Sequence, residues 1–106
     1  MSAWIWRRWR GRGRRPKPRF INWIVSNEIF FTPTPPPTPL PPDTIILHPD
    51  ELEALRLVYL EGLSQAEAAL RMGVSRGTLW RLLESGRKKL VRAIVESKPI
   101  LIGITG

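Results

Sequence analysis

The chain has 106 residues, which is enough for one small domain with tails, and it carries 17 Lys and Arg against 9 Asp and Glu. It contains no Cys and a single His, His48, which excludes a disulfide framework, a thiolate metal site and a cluster of His ligands. We therefore expect no catalytic residues, no metal and no cofactor, and the sequence does not predict an enzyme.

The charges are segregated along the chain. Residues 1–19 hold eight bases and no acid, residues 20–70 hold one base and seven acids, and residues 71–106 hold eight bases and two acids. Two strongly positive ends favour a polyanionic partner, for which nucleic acid is the usual candidate.

No apolar run approaches the roughly 20 residues that span a bilayer. The apolar stretch from Ala3 to Trp6 is too short for the core of a signal peptide. We therefore expect a cytoplasmic, nucleoid-associated protein with no membrane partner.

Composition divides the chain into four zones. Residues 1–19 form a basic arm rich in Trp and Arg, residues 20–42 an extended segment followed by a Pro-rich linker, residues 43–98 a helical domain, and residues 99–106 a C-terminal strand or tail. The run Ile100–Ile104 is expected to pair with Thr44–Leu47. The predicted fold is mainly α: a three-helix helix-turn-helix domain with an extended N-terminal arm and short flanking β-strands.

The first helix has clear boundary signals. His48 is predicted as its N-terminal boundary, Pro49 suits the first helical position, and Gly62 suits the position just beyond its end. Carboxylates in its first turns are interpreted as partners of the helix dipole, namely Asp50, Glu51 and Glu53. Apolar residues at helical spacing predict an inward stripe made of Leu52, Leu55, Val58 and Tyr59.

Two further helices follow, joined by a short turn. Ser64 and Glu67 form a capping box at the start of the second helix, Gly73 ends it, and Ser75 caps a third helix that extends to about Glu96. The inward face of the third helix is predicted to comprise Leu79, Leu82, Leu83, Leu90 and Ile94. Gly86 is interpreted as a point of close helix crossing.

Two capped helices with a turn at Gly73 are typical of a helix-turn-helix, here between Ser64 and Glu84, whose second helix enters the major groove of DNA. The residues expected to read bases are Ser75, Arg76, Gly77, Trp80, Arg81 and Glu84. The residues expected to contact phosphates are Ser64, Arg87, Lys88, Lys89 and Arg92. Packing of Trp80 against the protein, a merely tolerated Gly77 and a solvated basic helix end remain open.

The basic arm offers a second contact with DNA. Its cations are interleaved with Gly and Pro, a composition that suits the narrow, electronegative minor groove of A·T-rich DNA, and they are Arg12, Arg14, Arg15, Lys17 and Arg19. A tail that gives only nonspecific attraction is the open alternative.

The same residues carry a resemblance to known families. The run Arg56–Ser64, with Glu67, Gly73–Ser75 and Gly77–Thr78, resembles the region-4 helix-turn-helix of bacterial sigma-70 factors. A closer resemblance is to a family of small, uncharacterised prokaryotic proteins predicted to bind DNA through such a motif. It is carried by Asp50–Leu57, Leu60–Gln65, Met72–Arg76 and Leu82–Ser85.

The resemblance implies a winged-helix-like fold, binding of double-stranded DNA and regulation of transcription. The Trp-rich residues 1–10 and the proline run 33–42 depart from the family pattern. Two other functions remain open: binding of RNA through the Arg/Trp arm, and docking on RNA polymerase as a sigma-like module. We expect a homodimer, because segments 20–31 and 100–104 are more hydrophobic than a small helical domain needs.

Overall fold

The structure is a computed structural model, and it describes residues 28–103. The chain divides into two units after Thr34. Of the first unit, residues 28–34 are described, and they form neither helix nor strand. The second unit contains three helices and a two-stranded sheet, which confirms the mainly α fold. The basic arm and residues 20–27 lie outside the described residues.

Two short strands bring the ends of the helical domain together. β1 (Ile45–Leu47) pairs in parallel with β2 (Ile100–Ile102), with Ile45 opposite Ile100. The expected pairing of these two runs is therefore confirmed for the described residues. Parallel strands need a long crossover connection. The three helices provide it, since they lie between β1 and β2 in the chain. Leu47 is fully buried, and β1 contacts the third helix.

Helix α1 begins as an α-helix (Pro49–Leu55) and ends in a π-helical turn, Arg56–Leu60, which is counted as part of α1. His48 precedes it in extended conformation, as predicted for its boundary. Gly62 has a φ of 78°, and the Leu63 N–H next to it donates to the Leu57 carbonyl at 3.0 Å. The predicted end at Gly62 is thus confirmed, because glycine adopts this left-handed conformation without strain.

The face that α1 buries is not the predicted one. Leu52 and Tyr59 are 39% and 58% exposed, so their assignment to the inward stripe is wrong. The face is rotated towards Glu51 and Ala54, both buried, because α3 packs on that side of the helix and offers polar partners to Glu51.

Helix α2 (Gln65–Met72) begins with the predicted capping box. The Glu67 N–H donates to Ser64 Oγ at 3.1 Å, and the Ser64 N–H donates to Glu67 Oε1 at 2.9 Å. Gly73 follows the helix with a φ of 70°, and the Val74 N–H donates to the Ala69 carbonyl at 3.0 Å. This turn redirects the chain within three residues, 73–75.

Helix α3 (Arg76–Val95) is the longest element and packs on α1, α2 and β1. Ser75 caps it, accepting from the Thr78 N–H at 3.1 Å, and Glu96 lies at its end, as predicted. Ile94 is 40% exposed, so its assignment to the inward face is wrong. The buried core cluster joins all three helices and comprises Ala54, Leu55, Leu57, Ala68, Ala69, Leu79 and Leu83. None of the described helices is long and apolar enough to cross a membrane.

Candidate nucleic-acid interface

The turn between α2 and α3 fixes the direction in which α3 leaves the core. Ala69 on α2 and Leu79 on α3 are buried in the shared cluster, and Val74 in the turn packs against it. Ser75 closes the first turn of α3 through its bond to Thr78. These contacts hold the N-terminal half of α3 with one face in the core and the opposite face in solvent.

The outward face of α3 is polar over its first three and a half turns. Four residues at intervals of four, three and four lie opposite the buried Leu79 and Leu83, and they are Gly77, Arg81, Glu84 and Lys88. Arg76 and Trp80 lie on one flank of this face, and both are exposed. Half of the Trp80 surface (51%) remains in solvent. The structure thus brings most of the predicted base-reading residues onto one surface.

Three cations of this surface have no acidic partner. Arg76, Arg81 and Lys88 are exposed, and none of them forms an ion pair with another residue between 28 and 103. Their positive charge is therefore available to an external anion.

The two glycines inside α3 differ in their surroundings. At Gly86 an added Cβ would lie 2.8 Å from Leu55 Cδ1, so the predicted close helix crossing is confirmed. At Gly77 the nearest atom to such a Cβ is Ser75 Oγ, at 4.0 Å. A glycine inside a helix costs about 1 kcal/mol relative to alanine. Packing within the described residues explains that cost at Gly86, in the helix interior, whereas at Gly77, the second residue of α3, no packing contact requires a glycine.

The residues predicted to contact phosphates fall into two groups. Lys88 is exposed and unpaired among the described residues, and the Ser64 hydroxyl is exposed although it caps α2. Arg87 is bound to Glu84 and Tyr59, and Arg92 lies 3.8 Å from Glu96. The remaining member of the set, Lys89, is bound to Glu51 on α1.

Glu51 is a buried carboxylate whose role the sequence did not reveal. It is 4% exposed and accepts hydrogen bonds from Lys89 Nζ at 2.8 Å, the His48 N–H at 2.8 Å and the Ser85 hydroxyl. Burial alone would raise the pKa of Glu51, but the bonds from Lys89, Ser85 and the His48 amide outweigh it and hold that pKa below its ordinary value. Lys89 therefore joins α3 to α1.

A sequence signal for this contact exists in retrospect. Ser85 and Lys89 are four residues apart and so lie on one side of α3, beside Gly86, where a close helix approach was predicted. A search for a buried acid opposite that pair leads to α1.

Among residues 28–103, no group of three or more His, Asp or Glu is arranged to hold a metal. The five cations predicted for the arm lie outside the described residues.

Comparison with known proteins places this small helical domain in a family. The profile of a family described as "Protein of unknown function DUF134" matches residues 6–106. The chain is 50% identical over 98 residues to the UPF0251 protein of Pyrococcus furiosus, which covers 90% of this chain and 86% of the relative. It is 39% identical over 97 residues to the UPF0251 protein of Archaeoglobus fulgidus, which covers 92% and 89%.

A further relative, the UPF0251 protein of Pyrococcus abyssi, is 50% identical over 84 residues, or 79% of this chain and 76% of the relative. The chain belongs to the DUF134 or UPF0251 family, which confirms the resemblance to a family of prokaryotic proteins. The names of these relatives state neither an activity nor a partner. No solved structure matches the chain.

Proposed function

We propose that this protein binds double-stranded DNA in a sequence-specific way and regulates transcription, with α3 in the major groove. The observation that carries the proposal is the exposed surface of α3, with Arg81 on its outward face and Arg76 on the adjoining flank, both unpaired among the described residues. The turn at Gly73 and the cap at Ser75 present this face away from the core. A recognition helix in a helix-turn-helix is presented in the same manner.

Each exposed residue of this surface has a proposed role in binding DNA. Arg76 and Arg81 pair with the O6 and N7 atoms of guanine, and each such contact supplies about 1–3 kcal/mol of discrimination between bases. Trp80 contacts a thymine methyl group or a sugar. Gly77 allows the backbone of α3 to approach the DNA closely, which accounts for a glycine that packing does not require.

The charge of the folded domain favours a local interface over general attraction. Residues 28–103 contain nine bases and nine acids, so the net charge of this part of the chain is zero. Nonspecific binding to a polyanion is therefore not driven by the domain as a whole. The arm, residues 1–19, holds eight bases and is proposed to add contacts to the phosphate backbone or the minor groove.

A competition assay with the full chain tests the proposal. Unlabelled duplex DNA, single-stranded DNA and RNA of the same sequence each compete with a labelled random duplex for binding to the protein. Fragments are then selected from the random duplexes that the protein binds. We expect duplex DNA to compete best and the selection to yield a consensus. Arg76→Ala and Arg81→Ala should each relax the consensus at particular base pairs.

Three results would contradict the proposal or one of its parts. Preference for RNA or single strands would favour the Arg/Trp arm as the principal binding element, and binding to none of the three would favour docking on RNA polymerase. Equal loss of affinity on all duplexes would make Arg76 and Arg81 phosphate contacts only. Arg71→Ala serves as a control variant, because Arg71 is another exposed arginine but belongs to α2 and not to the outward face of α3.

The homodimer expected from the sequence stays a prediction. The prediction places segments 20–31 and 100–104 near the interface. Of these, residues 20–27 and Ile104 lie outside the described residues. Light scattering at micromolar protein, with and without duplex DNA, measures the oligomeric state directly, and a monomer under both conditions would contradict it.

A further inference from the structure

From the contacts at the end of the outward face, we infer that Tyr59, Arg87 and Glu84 form one preoriented unit in which Glu84 reads a cytosine. This inference rests on the proposed binding of duplex DNA and names a base that the same site selects. Tyr59 belongs to α1, whereas Glu84 and Arg87 belong to α3. The unit therefore connects the first helix to the surface of the third.

The unit is held together through the guanidinium of Arg87. One terminal nitrogen of Arg87 donates to the Tyr59 hydroxyl, and the other donates to Glu84 Oε1. The guanidinium carbon also lies 6.0 Å from the centre of the Tyr59 ring, within the range of a cation–π contact. Two helices thus fix the position of Arg87, and Arg87 in turn fixes the carboxylate of Glu84.

Stability of the fold does not account for this arrangement. The side chains of Arg87 and Glu84 are each 40% exposed, and exposed ion pairs contribute little to the free energy of unfolding. Tyr59 is exposed over more than half of its surface. It lies in the π-helical turn of α1, and π-helical turns occur frequently at functional sites.

The position of Glu84 restricts what it can meet. It follows Arg81 by three residues and precedes Lys88 by four, so it lies between two exposed cations on the outward face. A carboxylate there repels a phosphate, and it is favourable at a DNA surface only where it accepts a hydrogen bond. Its second oxygen, Oε2, accepts none from the described residues. In the major groove, the amino group of cytosine N4 is the donor that suits Glu.

Tyr59 is accordingly a positioning residue, because it acts on the base only through Arg87 and Glu84. Arg87 also offsets the charge of Glu84, so the carboxylate approaches the DNA as part of a neutral pair. Arg87 is therefore expected to contribute less to phosphate binding than the unpaired Lys88.

Selection of bound fragments from random duplex DNA tests the inference, with the full chain and with Glu84→Gln and Tyr59→Phe. We expect the wild-type consensus to contain a cytosine whose enrichment falls about tenfold in Glu84→Gln. Affinity of that variant for random duplexes should rise a few-fold, since a negative charge is lost. Tyr59→Phe should reduce enrichment at the same position by about twofold to threefold and leave the salt dependence of binding unchanged.

Glu61→Gln is the matched control, because Glu61 is another exposed carboxylate paired with an arginine, Arg56, on α1. It should leave the consensus unchanged. An unaltered consensus in Glu84→Gln would overturn the inference while leaving the proposed function intact. Failure of the wild-type chain to select any duplex would overturn both. A purely structural role for Tyr59 would lower the unfolding midpoint of Tyr59→Phe without a change at one base position, which would also count against the inference.

Discussion

Gly86 of α3 lies directly against Leu55 of α1, so that a Cβ atom at Gly86 would come within 2.8 Å of Leu55 Cδ1 and 3.6 Å of Glu51 Cβ. The two helices approach closely at this point because glycine has no side chain. The same approach brings Ser85 and Lys89 within hydrogen-bonding distance of Glu51. The close approach at this glycine thus accompanies both the packing of α1 on α3 and a part-buried ion pair between Glu51 and Lys89.

The first prediction concerns this crossing. Gly86→Ala gains about 1 kcal/mol of helix propensity but forces a methyl group against the buried Leu55, and overpacking of this kind costs about 1–3 kcal/mol. We expect the free energy of unfolding to fall by about 1 kcal/mol. Urea denaturation monitored by circular dichroism measures this free energy. A variant more stable than the wild type would show that Leu55 moves aside freely.

The second prediction uses the other glycine of α3. Gly77→Ala places a methyl group in open space, so the free energy of unfolding should rise by about 0.5–1 kcal/mol. If the backbone of α3 approaches DNA at this point, the affinity for the selected duplex should fall. A variant that is more stable and binds DNA as well as the wild type would show that Gly77 is merely tolerated.

Much of this architecture follows from local signals in the sequence. The caps Ser64 and Ser75, the turn at Gly73 and the close crossing at Gly86 were predictable because each depends on a few neighbouring residues and one physical requirement. The pairing of the strands was predictable because only two suitable runs exist near the helical domain.

The orientation of α1 was not predictable from its apolar pattern. That pattern directs Leu52 inward, whereas the helix buries Glu51, and a buried acid is acceptable only with partners from α3, far along the chain. The bond from Arg87 to Tyr59 was missed for the same reason, since 28 residues separate the two. Helix periodicity carries no information about polar partners on another helix.

The third prediction concerns the end of α3. Ser97 has a φ of 54°, and the Lys98 N–H beside it donates to the Ala93 carbonyl at 2.9 Å. A side chain in this left-handed conformation is strained, whereas glycine is not. Ser97→Gly should therefore raise the free energy of unfolding by about 0.5–1 kcal/mol. Ser97→Ala, which keeps the strain, should give no gain in the same thermal or urea denaturation experiment.

The fourth prediction concerns pH. Because the pKa of Glu51 is lower in the folded chain than its ordinary value of 4.5, the ionised carboxylate stabilises the fold above pH 4.5. This contribution is lost as the pH falls through the folded-state pKa. Glu51→Gln should lower the free energy of unfolding by about 1–3 kcal/mol at pH 7. The difference between wild type and variant should shrink below pH 4.5.

Urea denaturation at several pH values measures this difference. Glu53→Gln is a suitable control, because Glu53 is exposed and bound to Arg56 on the same helix, so its loss should cost little at pH 7. A difference between wild type and Glu51→Gln that stays constant down to pH 3 would contradict the assignment of the lowered pKa to Glu51.

The fifth prediction compares two adjacent lysines of α3. Lys88 is exposed and unpaired among the described residues, whereas Lys89 is bound to the buried Glu51 at 2.8 Å. A lysine that contacts a phosphate releases counterions, so its removal reduces the slope of log K against log salt by about 0.9. Lys88→Ala should show this reduction on every duplex while leaving the free energy of unfolding unchanged. Lys89→Ala should leave the slope nearly unchanged and lower the free energy of unfolding, because it leaves Glu51 buried without its cation.

Binding isotherms between 50 and 200 mM salt (roughly the range in which such slopes are large) together with urea denaturation separate the two effects. Equal slopes for the two variants would contradict this assignment. If both slopes are reduced by about 0.9, Lys89 leaves Glu51 on binding DNA. If neither slope is reduced, Lys88 makes no contact with a phosphate.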